Sequence, residues 1–207
     1  MIFDPGDFEG TRFGGFMNSV ILPRPIAFVT TVDAAGRVNA APFSWFVALS
    51  SRPPRLGISI SLRDGGPKDT LRNLRATGEL VVNVVTEAMA AQIVQASGDW
   101  PPDVDELKLT GLTAVASDLV RPPRVAESPV NLECRFEREI ELGESTLVVA
   151  GIVRAHARDD VLTNGRVDAA KLRPLARLGG DGYAGLGALM RLPRPKVERA
   201  TRQDHSG

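Results

Sequence analysis

Residues 59–74, SISLRDGGPKDTLRNL, bring together two serines, an arginine, a Gly-Gly-Pro turn and Lys68-Asp69-Thr70 opening a short helix. Basic side chains, hydroxyls and the free amides of a helix N-terminus are the groups that hold a phosphate. Upstream, Thr30 and Thr31 end a β-branched run, and Asn39, Ala40, Ala41, Pro42, Phe43 and Ser44 follow a turn. Small side chains let a flat ligand approach the backbone, and proline removes one ladder donor. A fused aromatic ring with carbonyl and N–H edges would find peptide groups there, with Thr, Asn and Ser side chains beside them. Local chemistry also admits a blander reading. Ser59 and Ser61 would then be solvated, Asp64 would claim Arg63, Asn39 would serve the hairpin and Thr70 would cap the helix.

Other patterns carry less. GGPKDT lacks the G-x-x-x-x-G-K-[ST] spacing of a P-loop, because proline separates glycine from lysine and aspartate separates lysine from threonine. GDGYAG, from Gly180, matches G-x-G-x-x-G in letters but lies near the C-terminus, outside any βαβ pattern. Cys134 sits at an inward position of an alternating strand and reads as a buried thiol, not a nucleophile. One cysteine allows no internal disulfide, and His156 and His205 lack metal-ligand spacing, so no metal is expected.

The elements that must position these residues follow from periodicity. IAFVTTV (26–32), a turn at Asp33–Gly36 and a return over 37–41 predict a hairpin. RLGISISL (55–62) alternates, with Leu56, Ile58, Ile60 and Leu62 on one face and Ser59 and Ser61 on the other. The helix after Lys68 carries Leu71 and Leu74 and stops at Gly78. LVVNVV (80–85) reads as a buried strand, and Thr86 as the cap of a helix bearing Met89, Ala90, Ile93 and Val94. GDWPPDVD (98–105) is a loop. In VNLECRFEREIEL (130–142), Val130, Leu132, Cys134, Phe136, Ile140 and Leu142 are expected inward, with Asn131, Glu133, Arg135, Glu137, Glu139 and Glu141 outward. Another strand spans 146–156. Half-buried antiparallel strands with few helices indicate a mainly β, barrel-like fold, Greek-key in character.

The chain has 207 residues, 43% of them hydrophobic, with 25 basic residues balancing 25 acidic ones. That balance provides no global field to recruit nucleic acid. No apolar run approaches the ~20 residues that cross a bilayer. The start, MIFDPGDFEG, is unlike a signal peptide, so a cytoplasmic protein is expected. Residues 1–190 are expected to form one domain and 191–207 a polar tail. Phe3, Phe8, Phe13 and Phe16 are expected to pack on something.

Taken in order, the chain resembles the flavin reductase-like family, a split β-barrel that binds FMN. That family includes flavoredoxins and the reductase components of two-component monooxygenases. The matching segments are RPIAFVTTVD (24–33), NAAPFSWF (39–46), SRPPRL (51–56), GPKDTLRNL (66–74) and TGELVVNVV (77–85). ESPVNLECRF (127–136), GIVRAH (151–156) and RLGGDGY (177–183) continue the match. The resemblance implies an FMN-binding reductase that takes hydride from NADH or NADPH and supplies a monooxygenase or another acceptor. The alternatives are a flavoredoxin-type electron carrier without pyridine-nucleotide turnover or a non-catalytic flavin-binding protein. By the same resemblance, Thr30 and Thr31 flank the isoalloxazine, and Asn39 through Ser44 contact its pyrimidine half. Ser59 and Ser61 line the ribityl channel, and Arg63, Lys68, Asp69 and Thr70 meet the phosphate. His156 reaches the nicotinamide or flavin edge or is structural, Tyr183 covers the flavin across a subunit boundary or merely packs, and FMN sits at a homodimer interface.

Overall fold

A computed structural model describes residues 1–8, 12–63 and 66–195; Asp64 and the chain from 196, with His205, lie outside the described residues. Residues 191–195 carry no regular structure. Seven strands form one antiparallel sheet: β1 (Ala27–Val32), β2 (Val38–Phe43), β3 (Phe46–Ser51), β4 (Pro54–Ser61), β5 (Glu79–Val84), β6 (Val130–Glu141) and β7 (Ser145–Ala157). Their order is β2-β1-β5-β6-β7-β4-β3. The hydrogen-bonded ladder does not close into a barrel, since β2 and β3 are its edges, linked through Ser44-Trp45.

β1 is buried along its whole length because both of its faces are covered. Ala27 and Val29 join a core with Ile58, Ile60, Leu80, Val82 and Cys134, closed by Leu71 and Leu74 of helix α2 (Asp69–Thr77), numbered after α1 (Arg12–Val20). Burying each of those leucines contributes about 1.5–3 kcal/mol. Ile26 and Phe28 point the other way, into a cluster with Met89, Ile93, Leu107 and Val125. That cluster is covered by α3 (Ala90–Ala96) and α4 (Glu106–Thr110). Asp105 caps α4 by accepting from the amides of Leu107 and Lys108. The sequence pattern did not point to α4. Thr86 stands before a single 3-10 turn without a side-chain capping bond, and Val94 is exposed.

Strand β6 departs from simple alternation. Its register with β7 runs Arg138↔Val149 and then Phe136↔Ala150, so Glu137 bulges. One extra residue reverses which side faces in. Leu132, Cys134 and Phe136 therefore meet the core, whereas Ile140 and Leu142 are exposed instead of inward. At its start, Asn131 and Glu133 are buried instead of outward. Leu62 is likewise exposed, one residue past the end of β4. The four N-terminal phenylalanines pack on one another, Phe3 on Phe16 at 4.9 Å between ring centroids and Phe8 on Phe13 at 5.3 Å.

Candidate functional site

Helix α2 points its N-terminus at the edge strand β2. Gly78, at φ 71°, ends it in the left-handed conformation, and its amide returns to the Leu74 carbonyl at 2.9 Å. No side chain caps the other end, where Lys68 holds the N-cap position. The first-turn amides thus have no partner within the helix and are free to meet an anion. Among the described residues Lys68 forms no ion pair.

Around this helix start a cleft of about 60 Å³ is lined by Asn39, Ala41, Pro42 and Phe43 of β2, by Arg63, Lys68, Asp69 and Thr70, and by residues 96–100 with Glu106. Two predicted groups, the NAAPF strand and the GPKDT turn, therefore share one site. The Asn39 amide donates to the Thr70 hydroxyl at 3.0 Å. Arg63 pairs with Asp99 across the mouth of the cleft.

Ala40 is fully buried and meets the site through its backbone: its N–H donates to Glu106 Oε2 at 2.8 Å. Glu106 was not singled out in the sequence, where nothing local marks it; a contact spanning 66 residues places it here. Burial pushes its carboxyl above the ordinary range, the Ala40 amide opposes this, and Asp69 and Asp105 add to the rise.

Thr30 and Thr31 do not reach the cleft surface. Both are fully buried. The Thr30 hydroxyl donates to the Pro123 carbonyl at 2.5 Å, and that of Thr31 accepts from Asn73 at 3.1 Å. They tie the sheet to its covering segments, a role that follows from β1 being covered on both faces.

Ser59 shares an opening with Ser44 and is not among the residues lining the Lys68 cleft. Both serines line a mostly apolar cavity of about 380 Å³ with Arg24, Trp45, Phe46 and Leu147. Ser61 is exposed and lies 3.5 Å from the Ser145 hydroxyl. Tyr183 lines a third space, about 100 Å³, with Pro42, Phe43, Ser44, Ser97 and Arg177. Pro42 and Phe43 border both this space and the Lys68 cleft, and Ser44 borders both this space and the apolar cavity. The three openings therefore follow β2 and its end in succession.

His156 stands elsewhere within the chain. Pairing runs Pro42↔Phe28↔Asn83↔Asn131↔His156, four strands across the sheet, or about 19 Å at the usual strand spacing. There His156 Nε2 lies 2.6 Å from Glu133 Oε1. Burial alone would raise the Glu133 carboxyl, but the amides of Asp118 and Leu119 and the His156 ring outweigh it and hold the group below its ordinary value. Asp118 completes a trio of possible metal donors. Arg154 already bonds Asp118 at 2.6 Å, and two backbone amides donate to the Glu133 oxygens, so both carboxylates have partners.

Cys134 is fully buried, and desolvation pushes its thiol up to about 12, which removes it as a nucleophile. The GDGYAG stretch forms a turn and a two-residue strand, with no helix after it among the described residues.

A family model described as flavin reductase like domain matches residues 17–176. An uncharacterised protein of Halalkalibacterium halodurans is 41% identical over 186 residues, which cover 86% of this chain and 89% of that protein. Among solved structures, nitrilotriacetate monooxygenase component B from Bacillus cereus aligns with a TM-score of 0.90 and 33% identity, over 93% of this chain and 98% of that one. The 2-nitrobenzoate 2-nitroreductase of Pseudomonas fluorescens aligns with a TM-score of 0.87 and 27% identity, over 97% and 99% of the two chains.

Proposed function

Because the chain belongs to the flavin reductase-like family, we propose that it is an FMN-dependent oxidoreductase accepting hydride from NADH or NADPH. The observation that carries the flavin reading is the meeting of the uncapped α2 N-terminus, Lys68 and Thr70 with the small-residue edge of β2 in one cleft. An uncapped helix start beside a lysine suits a terminal phosphate. The edge peptide groups and the apolar walls by Phe43 and Tyr183 suit a flat heteroaromatic ring.

Bound FMN supplies two-electron redox chemistry. The residues of the chain bind and orient. Lys68 and the first-turn amides of α2 would hold the phosphate, and the Asn39–Thr70 hydrogen bond would keep the helix start beside β2. The strand from Asn39 to Ser44 would hold the ring, and Tyr183 and Phe43, which line the neighbouring space, would shield it from water. Hydride transfer between two held rings needs orientation more than acid–base help.

The reading extends to a split-barrel homodimer with FMN at the interface. In such a dimer the partner's copy of His156 would reach the nicotinamide or flavin edge that its own chain keeps distant. The exposed apolar edge of β3, with Val47 and Leu49, supports that assembly. Likeness to a monooxygenase component B supports a monooxygenase as the electron acceptor. No described helix is long and apolar enough to cross a membrane, and the proposed setting is the cytoplasm, with residues 1–190 the working domain. The test is purified protein mixed with FMN and each pyridine nucleotide without oxygen. Bound yellow chromophore and nucleotide oxidation are expected. Chromophore without oxidation would indicate an electron carrier or a non-catalytic flavoprotein, and no chromophore would overturn the flavin reading.

A further inference from the structure

Beside Ser44, past the end of β2, two cations face each other without a counter-ion among the described residues. The short pairing of residues 24–25 with 176–177 sets Arg24 opposite Arg177, an arrangement that is unfavourable for like charges. Arg24 is 7% exposed, the one arginine or lysine among the buried described residues. Neither arginine forms an ion pair with a described carboxylate, whereas Arg55, Arg63, Arg75 and Arg173 each do. Burial, and then the nearby Arg177, holds the Arg24 guanidinium below its ordinary value.

Their roles differ. Arg24 donates to the carbonyls of Asn18, Ile21 and Leu178 at 2.8, 3.2 and 2.9 Å, pinned where α1 ends. Arg177 donates to the Gly182 carbonyl alone, at 3.0 Å, and lies 4.5 Å over the Tyr183 ring. Its other N–H groups are available to the space it lines with Pro42, Phe43 and Ser44. A ligand bringing delocalised negative charge would relieve this potential.

We infer that Arg177, backed by the buried Arg24, binds the negative charge that reduction places on the flavin pyrimidine ring, and so favours reduction of the bound cofactor. This rests on the flavin reading above. In that step the C4–H bond of the dihydronicotinamide breaks and its electron pair moves with the proton to form N5–H. The nicotinamide leaves as a cation, and the flavin gains one negative charge spread over N1 and the C2 oxygen. Lys68 lines the phosphate cleft and Arg177 the neighbouring space, and Pro42 and Phe43 of β2 border both.

The test is the midpoint potential of the FMN-loaded protein, measured against reference dyes. For the unaltered protein the inference expects two electrons and one proton, a slope of about 30 mV per pH unit between pH 6 and 8. A slope of about 59 mV, two protons for two electrons, overturns it. Arg177→Gln is expected to hold oxidised FMN within threefold of the parent. It should bind the reduced form tenfold less tightly relative to the oxidised one, lowering the midpoint by about 30 mV, and Arg177→Lys should restore most of the loss. An Arg177→Gln midpoint equal to the parent's overturns the inference while the flavin reading stands. Should Arg177→Gln not fold, the slope of the parent protein decides. Failure of the parent to take up FMN overturns both, and is seen before any potential is read.

Discussion

The Asn39 side chain donates to the Thr70 hydroxyl at 3.0 Å, which locks the edge strand β2 to the first turn of α2. Thr70 is 1% exposed, so the bond is made out of water. Thr70→Val keeps the shape but leaves the Asn39 amide without this acceptor. The expected cost is about 1–2 kcal/mol, read as a lower urea midpoint with an unchanged slope. Binding of FMN should weaken as well, because the strand and the helix start no longer hold one register. An unaltered midpoint and affinity would show that the contact positions nothing.

Lys68 is the cation whose removal should distinguish phosphate from ring binding. A hydrogen bond to a charged group contributes about 1.5–3 kcal/mol, or roughly 10- to 100-fold in affinity. Lys68→Met is therefore expected to weaken FMN by that factor and to leave riboflavin, which lacks the phosphate, within threefold. Flavin fluorescence quenching measures both. Equal losses for the two flavins would place the phosphate elsewhere.

Which of these contacts the sequence revealed depended on how local they were. Asn39, Lys68 and Thr70 belong to segments whose turn and helix-start chemistry is written in adjacent residues, and the structure brings them together. Ser59 and Ser61 were legible as one face of a strand, but alternation does not say which strand lies beside it. β4 pairs with β3 and β7, which sets Ser59 on the opening it shares with Ser44. For Thr30 and Thr31 the family resemblance implied a ring contact, and within the chain the covering segments on both sides of β1 bury both residues. Glu133 looked solvated until residues 118 and 119 folded back to supply its amides. Glu106, Arg24 and Arg177 act through contacts between distant segments that no spacing announces.

Glu133 and Glu106 should respond to pH in opposite senses. The folded-state value of Glu133 is lowered, so its contribution is fully present above the unfolded carboxylate value and is lost as pH falls through the folded one. Glu133→Gln also sets an N–H₂ group among two backbone donors. It should lower stability at pH 7 and flatten the acid limb of the stability curve. Glu106 is raised, so its ionised form costs stability at neutral pH, a cost relieved as pH falls through the folded value. Glu106→Gln retains an oxygen for the Ala40 amide and removes a negative charge from the cleft. It should match or exceed the parent in stability at pH 7 and tighten FMN. Urea unfolding between pH 4 and 8 separates the two, and a loss of stability in Glu106→Gln at pH 7 would sink the second claim.

The β3 edge tests the proposed assembly. Val47 and Leu49 are 51% and 45% exposed on a strand with an unpaired edge, and Trp45 just before it is 44% exposed. Apolar residues on such an edge invite pairing with another chain, and lysine there opposes it. Val47→Lys is expected to shift the protein from dimer to monomer in sedimentation at micromolar concentration, with the far-UV spectrum unchanged. If FMN lies at the interface, its affinity should fall in the same variant although Val47 touches neither the Lys68 cleft nor the Arg177 space. A monomeric parent protein would remove the homodimer from the proposal. A Val47→Lys dimer that keeps its FMN affinity would move the interface to another face, and with it the route by which the partner's His156 could approach the ring.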